Sequence, residues 1–393
     1  MPSLDDGHIG ARIKEQRRIA RLTQRELAAR MPYSYSLLNQ IECGRRTATS
    51  AFCTAVARAL RIDVLALTGP SSASSALHDS TAILAPIREA LDLYDLGPGE
   101  DITARPPAVL AAEADRLCRQ VRATHLAKAS KALPGLIVEL THTVWTAPST
   151  PMWQALASVC RTASDIALKK GNLDLASVAL DRMAWAAEHA SDPCLAAIRQ
   201  YKRALLYKGG DQHGTARRLV SAGHRLIAGE TSREALAVAG QLHLGASAIA
   251  ARTADQTAVD THLATARELA DRVGGEAPEV HWLSFGRRNA ALHEFGAAVA
   301  MRQYDDALGK ARKIRLPAST LTSRRARFLV DRARVEMETG HLETALKSVA
   351  EARRVAPEQT RHYPGTRDTI TGLVHLSRRT PDTLGHMARW IGL

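Results

Sequence analysis

Residues 23–44 read TQRELAARMPYSYSLLNQIECG, and the first domain follows from this stretch. Thr23 can cap a helix, and Glu26 three residues on completes a capping box. Leu27 and Ala28 give that helix an apolar side. Pro32 interrupts it, because proline clashes inside a helix and lacks the amide donor. Ser34 caps a second helix, and Gly44 stops it. Leu38 and Ile41, three apart, point toward a core. Tyr35, Ser36, Asn39 and Gln40 then share the other side. Asn and Gln both donate and accept, which suits base edges in a major groove.

The stretch resembles the helix-turn-helix of phage repressors, the Xre family. The resemblance is carried by Leu22-Thr23-Gln24, Glu26-Leu27-Ala28, Ser34, Ile41-Glu42, Gly44 and Arg45-Arg46, and it spans residues 8 to 69. It implies a five-helix DNA-binding domain. Tyr35, Ser36, Asn39 and Gln40 would face bases. Gln24, Ser34, Arg45 and Arg46 would contact phosphates. Two positions depart from the family pattern: Met31-Pro32 occupies the turn, and Leu37 replaces a small polar residue.

Outward from the pair, a first helix is expected from His8 to Ala20, with Ile9 and Ile13 on one face. A fourth is expected from Ser50 to Leu60, with Phe52, Val56 and Leu60 four apart. A short fifth, Val64 to Leu67, ends at Gly69-Pro70. Residues 1–69 hold eleven Lys/Arg against six Asp/Glu, within a net charge of +13 for the 393-residue chain. That density suits a polyanion, although a solvated basic face would look the same. The run GPSSASSALHDS, 69–80, reads as a flexible linker. The expected domains are thus 1–69, a linker at 70–80, and 81–393.

The chain is 45% apolar and only 4% aromatic. Abundant Ala, Leu and Arg favour helices and disfavour strands, so the expected class is all-α. Breaks fall at Gly97-Pro98-Gly99, Arg105-Pro106-Pro107, Pro148 to Pro151, Gly209-Gly210, Gly274-Gly275 and Pro317. Helix pairs between such breaks bury their apolar faces only by stacking. Gly340, Ala345, Ala352 and Pro357 carry a resemblance to the tetratricopeptide repeat, and Ala333 fits its small position. Gly171 and Ala176 repeat the offset, and Ala307 does so with Arg302 in place of glycine. Residues 292–361 resemble the C-terminal half of large bacterial Xre regulators. An α-solenoid of such helix pairs is therefore expected.

In that repeat the first helix of each unit lines a concave groove. The resemblance places Arg161, Asp165, Asn289, Leu292, Arg327 and Arg334 there. Such a set suits a short peptide or a small-molecule effector. The plainer reading is a set of ordinary helix residues, with Arg327 and Arg334 paired to Asp331 or Glu338. Trp282 with Phe285, and Trp145 with Trp153, read more simply as core.

Five cysteines without a CxxC pair make disulfides and a zinc site unexpected. Neither HExxH nor a phosphate loop occurs, no nucleophile has a strand-turn-helix setting, and no cofactor, metal or enzymatic activity is expected. No long apolar run marks a signal peptide or a membrane span. The expectation is a cytoplasmic transcriptional regulator that binds double-stranded DNA as a homodimer. An adaptor whose helix-turn-helix only anchors a complex is the alternative.

Overall fold

The computed structural model describes residues 9–60, 62, 67, 72–99, 101–207, 210–377 and 381–392. Among them the chain is all-α, and its one β feature is a single bridge between Ala277 and Phe285. It divides into two compact units at Thr81–Ala82.

The first unit contains α1 (Ile9–Ile19), α2 (Gln24–Ala28), α3 (Tyr35–Glu42) and α4 (Ser50–Leu60). Both expected caps are present. Thr23 Oγ1 accepts from the Glu26 amide while the Glu26 carboxylate accepts from the Thr23 amide. Ser34 Oγ accepts from the Leu37 amide. Ile13, Leu27, Leu38, Ile41, Phe52, Val56 and Leu67 form the core, with Tyr33 tilted on Phe52 at 4.9 Å. Leu37 is half-buried against this core. The expected fifth helix lies mostly outside the described residues, as do residues 68–71. Of the run expected as a flexible linker, residues 72–80 lie in a helix, α5 (Ser72–Asp92).

The second unit continues with α6 (Pro107–Arg122), α7 (Leu126–Thr146), α8 (Thr150–Lys169), α9 (Leu173–His189) and α10 (Pro193–Leu206). Next come α11 (His213–Leu226), α12 (Arg233–Arg252), α13 (Gln256–Val273), α14 (Arg287–Ala300) and α15 (Tyr304–Lys313). It ends with α16 (Thr322–Glu338), α17 (Leu342–Val355), α18 (Pro357–His362), α19 (Pro364–Leu376) and α20 (Asp382–Trp390). The most extensive packing is between chain neighbours, α8 on α9, α12 on α13 and α16 on α17, while α6 also reaches across to α8 and α19 to α16.

Six of the turns share one closure. A residue with left-handed backbone ends each first helix: Thr124, Gly171, Ser191, Ala254, Arg302 and Gly340. The following amide then reaches back five residues to a helical carbonyl, as in Asn172 to Ala167 (2.9 Å) and His341 to Glu336 (2.7 Å). This is the Schellman closure, which satisfies carbonyls the helix end would orphan. At Arg302 a side-chain-bearing residue takes the conformation glycine has in the related turns. Small residues let the helices meet closely: Ala176, Ala307, Ala333, Ala345 and Ala352 are all fully buried. At Gly240 in α12, an added Cβ would lie 1.9 Å from the Phe285 ring, which is itself buried.

Candidate nucleic-acid interface

α3 is short, so its orientation depends on what grips its ends. At its C-terminal end Glu42 is buried, and Arg17 of α1 holds it with two bonds of 2.7 and 2.8 Å. Arg17 also donates to the Leu22 carbonyl at 2.8 Å. The hydrogen bond that Arg17 donates to Glu42 is the main reason its guanidinium holds its proton above the ordinary arginine value. Gln24, at the start of α2, donates to the same carboxylate at 2.7 Å. One buried carboxylate therefore ties α1, α2 and α3 together. Glu42 and Arg17 lie 25 residues apart, and no local spacing links them.

The exposed face of α3 is polar, as expected. Ser36 and Gln40 are exposed, and Tyr35 is 45% exposed with the Arg25 guanidinium 5.9 Å from its ring. Asn39 is half-buried. Its carbonyl oxygen accepts from Gln24 at 3.4 Å and from the Cys43 thiol at 3.6 Å, leaving its amide nitrogen as donor. Gln24 differs from the expectation. Its amide nitrogen is committed to Glu42 and Asn39, so a phosphate would compete with bonds already formed. Ser34 spends an acceptor site on its cap and keeps its hydroxyl proton. Past Gly44, whose φ of 71° stops the helix, the amides of Arg45 and Arg46 both donate to the Gln40 carbonyl. That pins the two exposed arginines beside α3. Lys14, Arg18, Arg21, Arg25 and Arg30 are exposed on the same unit.

In the second unit the expected groove residues divide. Arg161 is fully buried. It donates to the His281 carbonyl at 2.7 Å and to Cys118 Sγ at 3.1 Å. Asp165 is buried between Arg122 (2.9 Å) and Lys202 (2.7 Å). Burial alone would raise its pKa, but Lys202 and Arg122 hold it well below the carboxylate range. Asn289 is buried and donates to Gln241, which donates to Tyr201. Leu292 packs with Phe295 and Phe328. None of these four is an open groove-lining side chain. The repeat register that placed them on a concave face does not predict how far neighbouring helices close over it. Arg327 pairs with Asp331 at 2.7 Å and stacks over Tyr363 at 4.5 Å. Arg334 is half-buried near the same tyrosine.

The residues 274–286 between α13 and α14 close over this network. His281, Trp282 and Ser284 all have left-handed backbone, a conformation that costs side-chain-bearing residues free energy. Trp282 donates to Asp115 at 2.5 Å, and His281 pairs with Glu234 at 2.5 Å. Glu234, Cys194 and Asp192 come within ligand distance of one another. Asp192 caps α10, and burial pushes the Cys194 thiol up to about 12. Trp153 is core, whereas Trp145 is 43% exposed and bonds the Tyr94 carbonyl.

No described helix is long and apolar enough to cross a membrane. No curated protein and no solved structure matches the chain. Residues 8–67 match the family model of a helix-turn-helix domain, so the chain carries a helix-turn-helix of the DNA-binding kind at its N-terminal end.

Proposed function

We propose that the protein is a sequence-specific DNA-binding transcriptional regulator whose second unit is a tetratricopeptide-like sensing and dimerisation domain. The observation that carries this reading is the polar face of α3, exposed on one side and clamped by Arg17, Glu42 and Gln24 on the other. A rigidly held helix of this size presents few side chains to bases, so selectivity calls for two heads on half-sites about 34 Å apart. A symmetric homodimer through the helical unit supplies them. The Schellman-closed hairpins, the buried alanines at 333, 345 and 352, and Pro357 opening α18 support the repeat assignment. An effector acts there through unequal affinity for two states of the dimer. Genome-wide footprinting followed by gel-shift titration tests the reading. Asn39→Ala with Gln40→Ala should abolish preference for the footprinted site. Unchanged binding would remove the main support.

A further inference from the structure

Five cations surround one carboxylate inside the helical unit. Asp165 is in Coulomb reach of Arg122, Arg161, Lys169, Lys202 and Arg324. Arg122 and Lys202 contact it directly. Among the described residues the other three have only neutral hydrogen-bond partners. Lys169 donates to Gln359 at 2.6 Å, Arg324 to the Leu283 carbonyl at 3.3 Å, and Arg161 to a carbonyl and a thiol. These partners come from α18, from the 274–286 loop and from α6, so distant parts of the unit enclose one electropositive interior.

Enclosed cations without counter-charges are costly. Burial and then Arg122 push the Lys169 ammonium down to about 7, and burial pushes Lys202 down to about 8 despite Asp165. Among the described residues, the buried Nε atoms of Arg122 and Arg161 have no acceptor. Lys169 and Arg324 are nevertheless only half-buried, so solvent still reaches them. An excess of cationic donors of this kind, partly reached by solvent, matches a multivalent oxyanion. Guanidinium groups bind phosphate and carboxylate with paired hydrogen bonds.

We propose that the interior around Lys169, Arg324 and Arg161 binds a small multivalent anion, a phosphate ester or a polycarboxylate. This narrows the effector of the sensing reading and rests on it. The ligand supplies the negative charge the cluster lacks, drawing the Lys169 ammonium and the Arg324 guanidinium onto its oxygens.

The test uses the full chain, with inorganic pyrophosphate and citrate as separate probes and sodium chloride at matched ionic strength as control. Calorimetry and the thermal midpoint read binding. Pyrophosphate, citrate or both should bind and raise the midpoint beyond the chloride control; which of them does distinguishes phosphate from carboxylate recognition. Lys169→Met and Arg324→Met should each weaken binding at least tenfold, while Lys169→Arg retains it. Without ligand, Lys169→Met should melt no lower than the parent, because the carboxylate in reach of this ammonium, Asp165, is already paired to Arg122 and Lys202. The proposal is overturned if neither probe exceeds chloride, or if both methionine variants bind like the parent. It is equally overturned if Lys169→Met melts lower without ligand. A gel shift run alongside separates the two readings. Intact DNA binding with no anion binding removes this site alone. Anion binding that leaves DNA affinity unchanged keeps the site and removes its sensing role.

Discussion

Replacing Glu42 by alanine should loosen the whole DNA-binding unit, not only α3. The carboxylate is 5% exposed and its partner Arg17 8%. Removal strips two charge-assisted bonds of 2.7 and 2.8 Å from Arg17 and one of 2.7 Å from Gln24. Breaking a buried pair from one side costs about 3–5 kcal/mol, mostly because the remaining charge is stranded. Arg17 keeps the Leu22 carbonyl, so the low end, about 3 kcal/mol, is expected. All five tryptophans lie at position 145 or later, so their fluorescence would miss this loss. Hydrogen exchange on peptides from residues 9–60 would see it. Every 1.4 kcal/mol is tenfold, so the slowest amides there should exchange about 100-fold faster. Peptides from the helical unit should be unchanged. Arg17→Met combined with Glu42→Leu should return exchange to within about tenfold of the parent, because an apolar pair of similar volume leaves no stranded charge. Exchange in Glu42→Ala within threefold of the parent would refute the view that this carboxylate joins the three helices.

Four further outcomes are expected. Arg45→Ala should weaken binding to all DNA sequences alike and reduce the salt slope by about one, read by gel shift across a salt series. Gly240→Ala should cost the helical unit about 1–3 kcal/mol by forcing the Phe285 ring aside. Gly296→Ala, where the added atom meets nothing within 4 Å, should be neutral or stabilising in the same denaturation. Burial, then His224 and His262, lower the His243 pKa to about 4. An unfolded histidine takes its proton near 6.5. Stability from this group is therefore present above pH 6.5 and lost as pH falls toward 4. His243→Gln should flatten the thermal midpoint between pH 7 and 5, and an unchanged slope would contradict the assignment.

What the sequence disclosed was local. The Thr23–Glu26 box and the Ser34 cap each close within three residues, so composition and spacing suffice to find them. The left-handed turns at Gly171 and Gly340 were visible for the same reason. At Thr124, Ser191 and Ala254 nothing in the residue type marks the turn, because tertiary packing sets the backbone there. The site was legible in part. Which residues of α3 face outward follows from helical period. That Gln24 turns to Glu42 does not, since the partner lies 18 positions away. In the helical unit the register named Arg161 and Asp165 but missed Arg122, Lys169, Lys202 and Arg324. Those four come from α6, α8, α10 and α16, and only the folded stack assembles them.

The 274–286 loop has a consequence for how this chain is made. Arg161 finds its carbonyl acceptor at His281, 120 residues later. At a synthesis rate of about 5–20 residues per second, that acceptor follows about 6 to 24 seconds behind. Until it arrives, Arg161 has the Cys118 thiol of α6 but not its carbonyl acceptor, and the network around it waits for the middle of the protein. The Arg161 network therefore closes late, well after the N-terminal unit, which ends at Thr81, has left the ribosome.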